Sequence, residues 1–78
     1  MNHLVSVTEL RRGQVAEVSA VVGLPEQVRR LEELGLRSGV RLEIVRGGSP
    51  CIVRVEGTKL CFRDNELASV MVKPRETA

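Results

Sequence analysis

The sequence predicts a mainly β fold, a small barrel of five short strands with one short α-helix between the first strand and the second. Three observations predict it. Valine is the commonest residue and only 1% of the chain is aromatic, so the core is aliphatic and suited to strands. Apolar and polar residues alternate with period two in several short runs separated by glycine and proline. Helical periodicity is confined to one stretch, LPEQVRRLEELGLRSG, from Leu24 to Gly39. Strands this short favour closure into a barrel, which removes exposed edges.

Leu4 to Val7 is an apolar lead-in, and Thr8 is placed to cap one turn before Arg11, Arg12 and Gly13 reverse the chain. From Gln14 to Val22, the residues Ala16, Val18, Ala20 and Val22 share one face of the first strand. In the helix, Pro25 suits the first turn, where its missing N–H has no partner to lose. Leu24, Val28, Leu31 and Leu34 form the apolar stripe, with Arg29, Glu32 and Glu33 toward water. Gly35 ends the helix, with Leu36 folding back onto Leu31 as in a Schellman cap.

After Gly39, Val40, Leu42 and Ile44 alternate with Arg41 and Glu43 as the second strand, and Arg46 to Pro50 form a turn. The third strand sets Cys51, Val53 and Val55 on one face, and the fourth sets Leu60 and Phe62 on the same side. Gly57 makes the hairpin between them, with either Gly57–Thr58 or Glu56–Gly57 as the loop. Both registers put Cys51 and Cys61 on opposite faces, so both thiols are expected to be free. Asp64 is placed to cap a single turn through Leu67; Val70 and Val72 then flank Met71 in a last strand, and the end of the chain, from about residue 73 to 78, reads as a flexible tail. Gly13, Gly35, Gly39 and Gly57 are the expected structural turns.

At 78 residues the chain is expected to form a single domain, in which folding buries only about 60% of the surface the unfolded chain exposes. The formal net charge is +2, with 12 Lys and Arg against 10 Asp and Glu, and the signs alternate along the chain. That pattern reads as a solvated surface, not a nucleic-acid footprint. No apolar run is long enough to span a bilayer and the amino terminus lacks a signal-peptide pattern, so a cytoplasmic location is expected. Two cysteines fit a reducing compartment.

Chemistry has little support. His3 is the single histidine and lies in a terminal segment, and no serine or cysteine sits beside a recognisable base, so no catalytic residue is assigned. There is no Cys-x-x-Cys, no histidine pair and no carboxylate cluster, so neither a metal site nor a cofactor is expected. Gly47 and Gly48 lack the lysine and following helix of a phosphate loop and read as a turn. A small barrel that binds RNA or single-stranded DNA needs aromatic stacking platforms, and Phe62 alone does not make one.

The run RRLEELGLRSG, then SPCIVRV, then EGTKLCFRDNELASVMV, resembles the FeoA family over nearly the whole chain. The resemblance rests on an ordered set: Leu10 with Gly13, Arg30 with Leu31, Gly35 with Leu36, Gly39, Pro50, and Arg63 with Glu66. Departures from the family pattern fall at Ser49, Phe62 and Leu67. The resemblance implies a barrel of the Src homology 3 type. It also implies a small cytoplasmic accessory protein of bacterial ferrous iron uptake that binds the cytoplasmic G-domain region of the FeoB transporter and modulates transport. Contact with the membrane would then be only through that partner. The same domain occurs behind helix-turn-helix repressors, for which this chain has no room.

The expected docking element is the helix with its cap and the following loop: Arg29, Arg30, Leu31, Leu34, Leu36 and Arg37. For Leu31 and Leu34 the rival reading is core packing, because this is the only helix available to cover the barrel. For Arg29 and Arg30 it is a solvated helix face. A stand-alone transition-metal-responsive or nucleic-acid-binding regulator is the alternative function. Weak homo-oligomerisation through strand edges or the Cys61 face is a third reading.

Overall fold

Six antiparallel strands form one sheet in the computed structural model, which describes residues 4–63 and 66–75. They are β1 (Val5–Ser6), β2 (Val15–Val21), β3 (Arg41–Arg46), β4 (Cys51–Val55), β5 (Thr58–Phe62) and β6 (Val70–Arg75), in the spatial order β1-β6-β2-β3-β4-β5. The helix α1 (Pro25–Glu33) joins β2 to β3, and 3₁₀ turns span Val7–Glu9 and Glu66–Ser69. The mainly β class with one short helix after the first long strand is as expected. Two details differ. Val5 and Ser6 pair with Val72 and Met71 and add a sixth strand. Among the described residues β1 and β5 remain sheet edges, so hydrogen bonding does not close the barrel.

The last strand also runs further than expected. Glu17 pairs with Lys73, Ala16 with Pro74 and Val15 with Arg75. β1 reaches only Met71 and Val72, so β6 is an edge on that side by the time it reaches Pro74, where a residue without an N–H is tolerated. The three residues beyond Arg75 lie outside the described residues, as do His3 and the expected cap Asp64.

The core is aliphatic, built from the inward positions of the strands. Ala16 and Val18, Leu42 and Ile44, Cys51, Val53 and Val55, Phe62, and Val70 with Val72 are all buried. Val7, Leu10 and Leu67 close it from the turns, and Leu31 and Leu36 from the helix and its exit. One inward series breaks. The β2–β6 register shifts between Val18 and Ala20, a bulge that puts two residues of β2 against one partner. As a result Val21 packs against the core and Val22, expected inward, is 51% exposed.

The first 3₁₀ turn is capped by Ser6, not Thr8. The Thr8 N–H donates to Ser6 Oγ at 3.2 Å, and the Ser6 N–H donates to Glu9 Oε2 at 3.1 Å, a capping box. Ser6 Oγ also donates to the Ala68 carbonyl at 3.0 Å, which ties the two 3₁₀ turns together. The hairpin takes the second of the two open registers. Val55 pairs with Thr58 and Cys51 with Phe62, leaving Glu56 and Gly57 as the loop, both at positive φ. Cys51 is buried, Cys61 is exposed, and both thiols are free.

Candidate functional site

Helix α1 begins with Leu24 as its N-cap residue and Pro25 in the first turn, and it ends in a complete Schellman motif. The Leu36 N–H donates to the Leu31 carbonyl at 3.0 Å and the Gly35 N–H to the Glu32 carbonyl at 3.0 Å. Gly35 has φ 104°, a conformation any other residue would enter at a cost of about 1 kcal/mol or more. The motif turns the chain sharply enough to drive Leu36 into the core while α1 stays on the surface. Gly13, Gly39 and Gly57 also lie at positive φ, each in the turn where the sequence places it.

Six residues were expected to make the docking element, and the structure divides them. Leu31 is 4% exposed and Leu36 0% exposed; both pack in the core, which corrects the expectation of a docking side chain for both, and Leu31 reaches the surface only as part of a groove wall. Leu34, the C-cap residue, is 41% exposed and so falls outside the core-packing reading. Arg37 donates from Nε to the Glu32 carbonyl at 3.1 Å, satisfying a carbonyl at the helix end where a cation is also favoured by the helix dipole. Arg30 reaches across to the second 3₁₀ turn and pairs with Glu66 at 3.5 Å, both side chains partly in water. Arg29 is exposed and makes no hydrogen bond or ion pair among the described residues.

The sequence missed two apolar contributors, Val22 and Leu24, with Leu24 66% exposed. The sequence puts Leu24 in the apolar stripe, but an N-cap residue sits at the helix entry with extended backbone, so its side chain does not follow the stripe. The surface around α1 therefore carries exposed leucines at its entry and exit, with Arg29 between them in sequence.

Three depressions border these elements. A groove of about 180 Å³ lies between α1 and the second 3₁₀ turn, lined by Gln27, Arg30, Leu31, Glu66, Ala68 and Ser69. A shallow hollow of about 220 Å³ runs over Pro25, Glu26, Arg29, Arg30 and Glu33. The third, about 460 Å³, lies away from the helix between the first 3₁₀ turn and the β3–β4 turn. Val7, Thr8, Leu10, Gly47, Gly48, Ser49 and Cys51 line it. Its one titratable side chain is the Cys51 thiol, whose pKa is raised chiefly by burial, so the thiol stays protonated and weakly nucleophilic. Among the described residues no three His, Cys, Asp or Glu side chains gather as a metal site, and no helix is long and apolar enough to cross a membrane.

A family model described as FeoA domain matches residues 5–74. The FeoA protein of Chlorobium tepidum is 37% identical over 87% of this chain and 68% of its own, with a TM-score of 0.79. Stenotrophomonas maltophilia FeoA is 30% identical over 94% of this chain and 98% of its own, with a TM-score of 0.81. It is described as complexed with zinc, as a procaryotic SH3 domain protein, and as a candidate ferrous iron transport activating factor. An iron uptake regulatory protein, also a FeoA, has a TM-score of 0.87 at 21% identity, over 94% of this chain and 100% of its own; at that identity the likeness concerns the fold. Comparison with curated proteins gives no match.

Proposed function

The chain belongs to the FeoA domain family, and on that premise we propose that it is an accessory protein of bacterial ferrous iron uptake that docks on the cytoplasmic part of a FeoB-type transporter. The observation that carries this reading is the surface of α1. Its cap is built well enough to hold the helix in place, yet Leu24 and Leu34 at its two ends remain largely in water. Arginine is favoured among the residues that anchor an interface, and leucines left in water gain by being buried in one. An adaptor role asks for no catalytic group, and the Cys51 thiol, the one titratable group in the largest depression, stays protonated. The reading places the protein in the cytoplasm, where such a transporter exposes its nucleotide-binding region.

The docking element is accordingly narrower than the sequence suggests: Leu24, Arg29 and Leu34, with Arg30 and Arg37 holding the helix to its surroundings. Arg29→Glu is a cleaner probe than Arg30→Glu, which would set two carboxylates against each other across the α1 groove. The expected result is that Arg29→Glu and Leu34→Lys keep the parent melting profile but weaken binding to the purified cytoplasmic domain of the transporter. Each loss should be on the order of tenfold, the size expected of a well-placed interface residue. Folded variants that bind with parental affinity would remove α1 from the interface.

A further inference from the structure

Of the two open edges of the sheet, β5 is the longer. β1 has only two residues, and Pro74 blunts the stretch of β6 that β1 leaves uncovered. On β5 the hairpin register decides which backbone groups are open. Val55 and Thr58 flank the Glu56–Gly57 loop and so exchange both of their hydrogen bonds, and the same exchange recurs at every second rung, Val53 with Leu60 and Cys51 with Phe62. Lys59 and Cys61 fall between these rungs. Their N–H and C=O groups therefore point away from β4, and among the described residues no backbone hydrogen bond meets them there. The inner face is unfinished at the same place. Val53 is 0% exposed, while Leu60, on the same rung one strand further out, packs against the core and is still only half-buried.

We propose that the open edge of β5 pairs antiparallel with β5 of a second copy of the chain, about a two-fold axis at Leu60. Two outward residues, Lys59 and Cys61, allow three such two-fold pairings, and charge separates them. An axis at Lys59 sets the two Lys59 side chains against each other, and an axis at Cys61 sets Lys59 against Arg63 of the other copy. An axis at Leu60 sets each Lys59 against the uncharged Cys61 of the other copy and overlaps all five residues of the strand. On the inner face it brings Leu60 onto Leu60, and Thr58 opposite Phe62 as an aromatic and β-branched pair, so that the two aliphatic cores join. A second copy is favoured over an unrelated strand because β5 itself meets every demand of this edge at one register: no cation against Lys59, an apolar residue against Leu60, and bonding groups in phase along the whole strand. The contact is isologous, and since the other edge of each sheet is blunted, assembly stops at the dimer.

The test uses the full chain alone, so its outcome is independent of transporter binding. One added strand pair is smaller than the roughly 1,200 Å² of a stable complex, so the association is weak. Sedimentation equilibrium under reducing conditions should show the mass rising from one chain toward two, and no further, as the concentration approaches about 1 mM. Cys61→Lys puts a cation opposite each Lys59 and should weaken the dimer roughly 2- to 30-fold, the effect of two cross-strand pairs. Adding Lys59→Glu turns both clashes into opposite-charge pairs and should restore it; neither other pairing is rescued by that exchange. In a Cys61→Ser background, Leu60→Cys should be trapped as a disulfide dimer on mild oxidation, because the opposed Cα atoms of a non-hydrogen-bonded pair lie about 4.5 Å apart. Thr58→Cys in the same background should cross-link far more slowly. If Leu60→Cys does not fold, the charge exchange at two exposed positions decides the matter. A chain still monomeric near 1 mM, assembly beyond two copies, no recovery by Lys59→Glu, or equal cross-linking of the two cysteine variants would each overturn the proposal.

Discussion

Glu56 holds the first loop position of the β4–β5 hairpin at φ 49°, where a side chain crowds its own backbone and asparagine is the usual occupant. Gly57 follows at φ 83°, so the loop has the two positive φ values of a type I′ turn. Glu56→Asn is therefore expected to raise stability by about 0.5–1 kcal/mol, read as a higher urea midpoint at unchanged slope. Choosing between the two hairpin registers was beyond the sequence, because both leave the same residues facing inward. Only the strain accepted at Glu56 distinguishes them. At Glu17 the expected effect is on pH dependence. A hydrogen bond from Arg75 chiefly, then the charges of Arg75, Lys73 and Arg41, hold its carboxyl below the usual range against a smaller opposing effect of burial. A carboxyl lowered on folding adds stability above its unfolded pKa, near about 4.3, and loses it as pH falls through the folded value. Glu17→Gln should thus be less stable than the parent at neutral pH, and the gap between their melting temperatures should close as the pH drops below about 4.

The elements show where local signals suffice and where pairing decides. The Schellman end of α1 was legible because glycine followed by an apolar residue after a helical run has a local cause, and the bonds from Leu36 and Gly35 are those the motif requires. The bulge in β2 was not legible. Alternation through Ala16, Val18, Ala20 and Val22 gives no sign that the register with β6 slips at Ser19, since the slip depends on the partner strand. β1 was missed because two residues carry no period, and the reach of β6 because Pro74 argues against a central strand without saying that its neighbour has already ended. The helix itself covers the core through few side chains. Leu31→Ala is expected to cost about 2–5 kcal/mol, measured by denaturant unfolding, because it empties a site the helix alone fills. Arg30→Ala should cost no more than about 1 kcal/mol, since its pair with Glu66 is in water.

For the molecule as a whole, the fold separates two surfaces that the sequence interleaves. The helix side carries exposed leucines with Arg29, and the outer sheet face carries Arg41, Lys59 and Lys73, which make no ion pair among the described residues. Net charge and alternation along the chain concealed this, because which face a charge occupies follows from strand direction and register. The docking residues were only partly legible for a related reason: Leu31, Leu34 and Leu36 look alike in sequence, and the helix cap decides that two enter the core and one does not. The proposed contact surface for the transporter is α1 with its entry and exit. The most direct measurement is backbone amide NMR of the labelled protein titrated with the transporter's cytoplasmic domain. The perturbed signals are expected to gather from Val22 to Arg37, while those of the β4–β5 hairpin hold their positions. Perturbations gathered on the outer sheet face, with α1 unchanged at saturation, would contradict it.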